Sequence, residues 1–268
     1  SRWSKRVNEL EADVVNLHWI GSGTMSISDV ARISKPVVMT LHDMWAFCGS
    51  EHYATTSGAA RWRDGYTQSN RPAGHGGIDW DRLTWERKSR RWKPMTVVTP
   101  SAWLADLVRE SALMGAWPVS VVPNALDTDR FRPRDQGASR LELGLPTDAT
   151  IVLFGAVAAS QDPRKGFDLL HQALPAIQTR TNPMLGVVFG EDEPADPPAT
   201  PFPLRWLGHI SADTRLSLLY SAADVFVMPS RQENLGQTGT EAQSCGLPVV
   251  AVDTAGNRDL IDHHVTGY

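Results

Sequence analysis

Short apolar, β-branched runs recur along the chain and alternate with longer stretches of helical periodicity. The runs predict strands at Val14–His18, Val37–Leu41, Thr96–Thr99, Ser120–Val122, Ile151–Phe154, Leu185–Phe189, Leu204–Leu207, Val225–Met228 and Val249–Val252. Between them, amphipathic spacing predicts helices at Asp79–Lys93, Ser101–Leu113, Gly166–Gln178, Ala212–Ser221 and Thr238–Cys245. Ser101 and Ser211 are the expected N-caps of two of these, since a serine hydroxyl can accept from a first-turn amide. Strand and helix in strict alternation indicate an α/β protein built on parallel sheets. Two stretches break the alternation. Residues 50–77 are rich in Gly, Ser, Thr and Arg and read as a long loop. Residues 127–147 mix Pro, Gly and charge, which marks the domain boundary: a first domain over 1–130, a linker over 131–147 and a second domain over 148–268.

Composition narrows the class. The 268 residues are 41% hydrophobic and 21% charged, as expected of globular domains with sizeable cores. A net charge of −4 and the lack of a basic tail argue against a nucleic-acid partner. Cys48 and Cys245 are far apart in sequence and lack metal-ligand spacing, so the expected setting is reducing and cytoplasmic. No apolar run approaches the roughly 18 residues of a membrane span.

The most informative stretch is Glu233-Asn-Leu-Gly-Gln-Thr-Gly-Thr-Glu241. It lies between the strand-like Asp224-Val-Phe-Val-Met-Pro-Ser230 and the helix start Thr240-Glu-Ala-Gln-Ser-Cys-Gly246. A strand that passes through a glycine loop into a helix N-terminus is an anion site, because unpaired amides and the helix dipole face it. Two carboxylates beside such a cradle are suited to accepting hydrogen bonds from hydroxyls. Phosphate flanked by hydroxyl-rich groups describes a sugar nucleotide.

The same segment, with Glu241-Ala-x-x-Cys-Gly-x-Pro-Val-Val250 after it, resembles family 4 of the retaining glycosyltransferases. Thr40-Leu-His-Asp-Met-Trp45, Val98-Thr-Pro-Ser-Ala-Trp-Leu104, Val122-Pro-Asn-Ala-Leu-Asp127, Lys165-Gly-Phe-Asp-Leu-Leu170 and Leu219-Tyr-Ser-Ala-Ala-Asp224 follow that family's order. The likeness runs from about Asp13 to Tyr268 and is closest to the bacterial polysaccharide-biosynthesis branch. It implies the GT-B fold: two Rossmann-like domains with parallel sheets facing a cleft, the acceptor side N-terminal and the nucleotide-sugar side C-terminal. The implied reaction moves a hexosyl group, with retention, from a nucleoside-diphosphate sugar to a polysaccharide, oligosaccharide or lipid-linked acceptor. The alternatives are a GT-B sugar-nucleotide epimerase and a non-catalytic sugar-nucleotide-binding protein. The ends read as cut: residues 1–5 open in mid-helix character, and 262–268 stop where family members continue.

By resemblance Glu241 holds ribose hydroxyls, Glu233 the transferred sugar, and the amides of Asn234, Leu235 and Gly236 face the donor. Arg164 and Lys165 would sit against the diphosphate, with Lys165 the firmer assignment. Many family members carry an arginine soon after the preceding strand's glycine, where this chain has Ala156-Val-Ala-Ala-Ser160. His42, at a strand's C-terminal end, would approach substrate from the first domain. The catalytic set is thus Glu233, His42 and Lys165, with no cofactor and no metal. Gly21-Ser-Gly-Thr-Met-Ser26 lacks a third glycine and is read as a turn. Asp79–Lys93 interleaves Trp80, Trp85 and Trp92 with basic residues: Trp85 and Trp92 share a core face, and the cations form either a solvated face or a surface for anionic lipid. On the second reading the protein is peripheral on the inner face of the plasma membrane.

Overall fold

The computed structural model describes residues 2–21, 23–74, 76–155, 162–177 and 183–268. The chain divides into two compact units, Ser1–Pro123 and Asn124–Tyr268.

The first unit runs α1 (Arg2–Glu9), β1 (Val15–His18), α2 (Ile27–Val30), β2 (Val37–Thr40), α3 (Arg61–Asp64), α4 (Trp80–Arg91), β3 (Thr96–Thr99), α5 (Ala102–Glu110) and β4 (Val119–Val121). Its sheet has the order β1-β2-β3-β4, and each neighbouring pair is parallel. Helix α5 begins where expected: Ser101 Oγ accepts from the Leu104 amide at 3.1 Å. Its Leu104, Leu107 and Val108 are buried in the core beside Val97 and Met39.

The stretch 50–77 is not a free loop. It contains α3, and Trp62 and Tyr66 enter the core, with the Trp62 indole donating to the Thr55 carbonyl at 2.9 Å. Arg61 reaches Asp79 at 2.7 Å, tying the segment to the start of α4. Polar composition concealed this, because a few large aromatics suffice to anchor a long connection.

The second unit runs α6 (Gln136–Leu143), β5 (Thr150–Gly155), α7 (Phe167–Ala173), β6 (Met184–Phe189), β7 (Leu204–Trp206), α8 (Asp213–Ala222), β8 (Val225–Met228), α9 (Gln237–Ser244), β9 (Val249–Ala251) and α10 (Asn257–Leu260). The sheet order is β7-β6-β5-β8-β9, again with parallel pairs. From β5 the chain builds outward through β6 and β7, then returns to the other side for β8 and β9. The order therefore reverses between β5 and β8, and ligands of open α/β sheets bind beyond the strand ends at such a point.

Residues 131–147, expected as a linker, are instead part of this unit. Phe131 packs on Tyr220, and α6 carries an Asp135 N-cap and a left-handed Gly144 C-cap. The buried Arg140 donates to Asp224 at 2.8 Å and to the carbonyls of Thr147, Ala149 and Ala222. The α6 face is polar at its buried positions, Ser139 and Arg140, so the usual apolar stripe is missing. Ser211 does not cap α8; the N-cap is Ala212, without a side-chain bond.

Candidate active site

In the second unit, three segments that are distant in sequence meet at the strand-order reversal: the end of β5, the turn before α7, and the run from β8 into α9. A cavity of about 290 Å³ opens beyond the ends of β5 and β8, lined by Gly155, Lys165, Ser230, Glu233, Gly236 and Thr238 among others. Gly155 ends β5, and a Cβ there would collide with the Phe189 ring. Gly166 adopts φ +69°, and a Cβ would run into the Pro229 carbonyl. Only glycine allows this approach, which lays the Pro163–Lys165 turn across the end of β8. The Arg231 amide donates to the Arg164 carbonyl at 2.7 Å and joins the two loops.

Lys165 Nζ consequently reaches Glu233 Oε1 at 2.5 Å, and Ser230 Oγ donates to the same oxygen at 3.2 Å. Gly236 precedes α9, whose first-turn residues Gln237 and Thr238 border the cavity. Gly236 and Gly239 lie against Met228 and Leu260, where side chains would push the helix start away from β8. Asn234 is buried, and Leu235 lines the cavity. A cation, a carboxylate and a helix N-terminus thus share one opening, whose walls include Phe154, Val227 and Leu235.

Glu241 sits one turn further along α9 and is half-buried. Its Oε2 accepts from the Tyr220 hydroxyl at 2.8 Å. Burial pushes the Glu241 carboxyl above its usual range, while the Tyr220 bond and nearby Asp213 act in opposite senses. Arg164, by contrast, is engaged by its neighbour: its Nη2 donates to Asp162 Oδ2 at 2.6 Å. The departure from the family pattern at Ala156–Ser160 lies outside the described residues.

Three contributors escaped sequence reasoning. Asn257 is almost fully buried and donates to the carbonyls of Ser230 and Val252, fixing the loop that carries Glu233. The Gly256 amide donates to the Glu233 carbonyl at 2.9 Å, where a Cβ would strike the Asn234 carbonyl. Arg231 forms a bidentate pair with Asp168, at 2.7 and 2.6 Å, and clamps the start of α7.

In the first unit, His42 stands just past β2, and its Nε2 lies 3.0 Å from His18 Nδ1 at the end of β1. Burial first, and His18 second, hold the His42 imidazole below its ordinary pKa. The next residue, Asp43, accepts from the Trp45 amide at 2.9 Å and the Trp19 indole at 3.2 Å, and pairs with His52 Nδ1 at 2.7 Å. His18, His52 and Trp19 were not among the expected site residues. His18 was legible only as the last residue of a strand. The Gly21–Ser26 segment is a turn in its described residues, leading to the capped four-residue α2.

Helix α4 corrects the expected basic surface. Trp92 is buried and Trp85 packs on the core, as anticipated. Lys88, however, is fully buried and donates to the carbonyls of Trp45, Cys48 and Gly49, with its ammonium 3.8 Å from the Trp45 ring. Desolvation lowers its pKa to about 7. It shares the inward face with Trp85 and Trp92, so it is removed from any docking surface; Arg87, Arg90 and Arg91 remain exposed.

Among the described residues, no group of three His, Cys, Asp or Glu side chains is placed to hold a metal ion. No helix of the described residues is long and apolar enough to cross a membrane.

The family model described as Glycosyltransferase Family 4 matches residues 1–130, and that described as Glycosyl transferases group 1 matches 148–268. D-inositol 3-phosphate glycosyltransferase 2 of Catenulispora acidiphila is 37% identical over 169 residues, 57% of this chain and 38% of that protein. The D-inositol 3-phosphate glycosyltransferase of Mycobacterium bovis is 32% identical over 170 residues, 58% of this chain and 34% of its own length. The matched part thus spans well under half of these relatives. Among solved structures, Anabaena HepE in complex with UDP-glucose superposes with TM-score 0.64 at 17% identity, over 100% of this chain and 66% of that one. Sucrose-phosphate synthase of Thermosynechococcus elongatus gives 0.62 at 21% identity, over 87% and 54%. Likeness at this identity establishes the fold, the two Rossmann-like units of GT-B proteins.

Proposed function

The chain belongs to Glycosyltransferase Family 4, and we propose that its protein transfers a hexosyl group from a nucleoside-diphosphate sugar, with retention, to a glycan or lipid-linked acceptor. The observation that carries this reading is the opening at the strand-order reversal, where Lys165, Glu233 and the start of α9 converge. Anionic oxygens of a diphosphate suit the Lys165 ammonium and the α9 amides. Hydroxyls of the transferred sugar suit Glu233, and those of the ribose suit Glu241. Asn234, Leu235 and Gly236 border the donor, and Arg164 stands beside the diphosphate with its charge shared by Asp162.

As the glycosidic bond breaks, negative charge grows on the leaving diphosphate. Lys165 stabilises it from a fixed position, which lowers the barrier without a resident metal or cofactor. Retention follows from same-face attack, with the leaving phosphate accepting the acceptor's proton. His42 takes part from the acceptor side, in a polysaccharide pathway at the cytoplasmic face of the membrane. The exposed Arg87, Arg90 and Arg91 supply the contact with anionic lipid.

UDP-glucose is the first donor to test, since HepE was solved with it. The whole protein is incubated with labelled donor, with and without chelator, and with a panel of lipid-linked and oligosaccharide acceptors. Labelled glycan with the anomeric configuration kept supports the reading, and loss of transfer in chelator refutes metal independence. Free isomerised sugar without an acceptor indicates an epimerase. Donor binding without turnover indicates a binding protein.

A further inference from the structure

The ends of β1 and β2 carry a hydrogen-bonded chain of four side chains. Strand register sets His18 opposite Thr40. Thr40 Oγ1 donates to Asn16 Oδ1 at 3.0 Å, Asn16 Nδ2 lies 3.1 Å from His18 Nε2, and His18 Nδ1 lies 3.0 Å from His42 Nε2. The rings of the two histidines stack with centroids 5.3 Å apart.

Donor and acceptor chemistry gives this chain a direction. The Thr40 hydroxyl is largely buried and needs a partner, which Asn16 Oδ1 provides. That bond orients the amide, so Asn16 presents its NH₂ to His18. An amide NH₂ only donates, so His18 Nε2 must accept and its proton resides on Nδ1. His18 Nδ1–H then donates to His42 Nε2. The His42 Nε2 is therefore an acceptor already in use, and its proton resides on Nδ1.

We propose that His18 is a positioning residue that holds His42 as the neutral Nδ1–H tautomer, so that what His42 offers a substrate is a fixed N–H donor and not a base. A free imidazole is ambidextrous; a held one discriminates, because only a substrate oxygen able to accept meets it favourably. The depressed basicity of His42 agrees with a neutral ring. Asp43, adjacent in sequence, opposes that shift, and its carboxylate is itself engaged by His52, Trp19 and the Trp45 amide. The consequence for transfer rests on reading His42 as a substrate-side group; the tautomer does not.

The test is the ring-nitrogen correlation spectrum of histidine-labelled protein at pH 7.5, with His42→Gln used to assign the His42 signals. The wild type is expected to show a protonated Nδ1 and an unprotonated Nε2 at His42. His18→Phe should convert His42 to a mixture dominated by Nε2–H. His18→Gln, which retains an N–H donor, should restore the wild-type pattern. A protonated Nε2 at His42 in the wild type would mean that the chain runs the other way and would overturn the proposal. An unchanged tautomer in His18→Phe would do the same. Should His18→Phe not fold, the wild-type and His18→Gln spectra still decide. In turnover assays His18→Phe should lose at least tenfold in kcat with donor KM unchanged. If the tautomer moves as expected while neither His18→Phe nor His42→Ala affects transfer, the assignment of His42 to the site fails and the positioning role stands.

Discussion

Lys165 and Glu233, 68 positions apart in sequence, meet at 2.5 Å in the opening beyond β5 and β8. Both side chains are mostly shielded from solvent, at 22% and 15% exposure. Each is the other's counter-ion, and on the proposed function a ligand with both anionic oxygens and hydroxyls would separate their tasks. A donor sugar nucleotide has that composition.

Lys165→Ala is accordingly expected to weaken nucleoside diphosphates by about 1.5–3 kcal/mol, the usual range for a hydrogen bond to a charged group. The free nucleoside, which has no group for Lys165, should bind as before. Titration calorimetry with both ligands checks this, and equal losses would place Lys165 away from the diphosphate.

Glu233→Gln separates binding from turnover. The amide keeps the shape and loses the charge, so nucleoside-diphosphate affinity should hold or rise slightly as Lys165 is released. Turnover of the whole protein should fall at least a hundredfold, about 2.7 kcal/mol in the barrier. Wild-type kcat in this variant would remove Glu233 from the reacting sugar.

Glu241 gives a pH-dependent signature. Its folded pKa is raised by burial, so the folded state binds the proton more tightly than the unfolded chain does. The resulting stability is complete below the ordinary carboxylate range and is lost as pH rises through the folded value. Glu241→Gln should abolish that component, so the wild type should lose stability relative to the variant as pH rises from 4 to 7. Nucleotide affinity should drop at the same time. Denaturant titrations of both proteins from pH 4 to 7 test the first point, and a stability difference between them that does not change with pH would contradict it.

Lys88 and the exposed arginines of α4 should behave oppositely. Lys88→Met leaves buried carbonyls at 45, 48 and 49 without their donor and should cost about 1–3 kcal/mol of stability. Arg87→Gln, Arg90→Gln and Arg91→Gln together should leave stability unchanged. If α4 meets lipid, they should weaken binding to phosphatidylserine vesicles by on the order of 1 kcal/mol per residue. Salt-independent or absent vesicle binding by the parent would assign these arginines to solvent alone.

Arg140→Met probes the segment first read as a linker. The guanidinium serves three carbonyls and Asp224, so its loss should destabilise the second unit by about 3 kcal/mol. Thermal unfolding of the variant should show that unit melting earlier while the first is unaffected. Unchanged melting would mean that α6 is peripheral to the fold.

The strand pattern was legible in the chain because parallel strands bury both faces and read as continuous apolar runs. All nine predicted strands occur, and those at Thr96–Thr99 and Val225–Met228 match to the residue. The Glu233–Glu241 segment was equally legible, since its glycines, carboxylates and helix start are neighbours in sequence. What depended on partners far along the chain was not. Helix α6 was concealed because its buried positions are polar: Ser139 donates to the Asp135 carbonyl one turn back, and Arg140 is satisfied by Asp224 and by carbonyls beyond the helix. Lys88 read as a surface cation, since nothing nearby reveals the three carbonyls that surround it. His18 gained a role only from the parallel register that carries β1 alongside β2. Periodicity and capping arise from interactions a few residues apart, so the sequence determined the strands and the glycine-carboxylate run from Glu233 to Glu241. Which buried polar group finds which partner depends on loops closing over dozens of residues, and only the tertiary structure decided that.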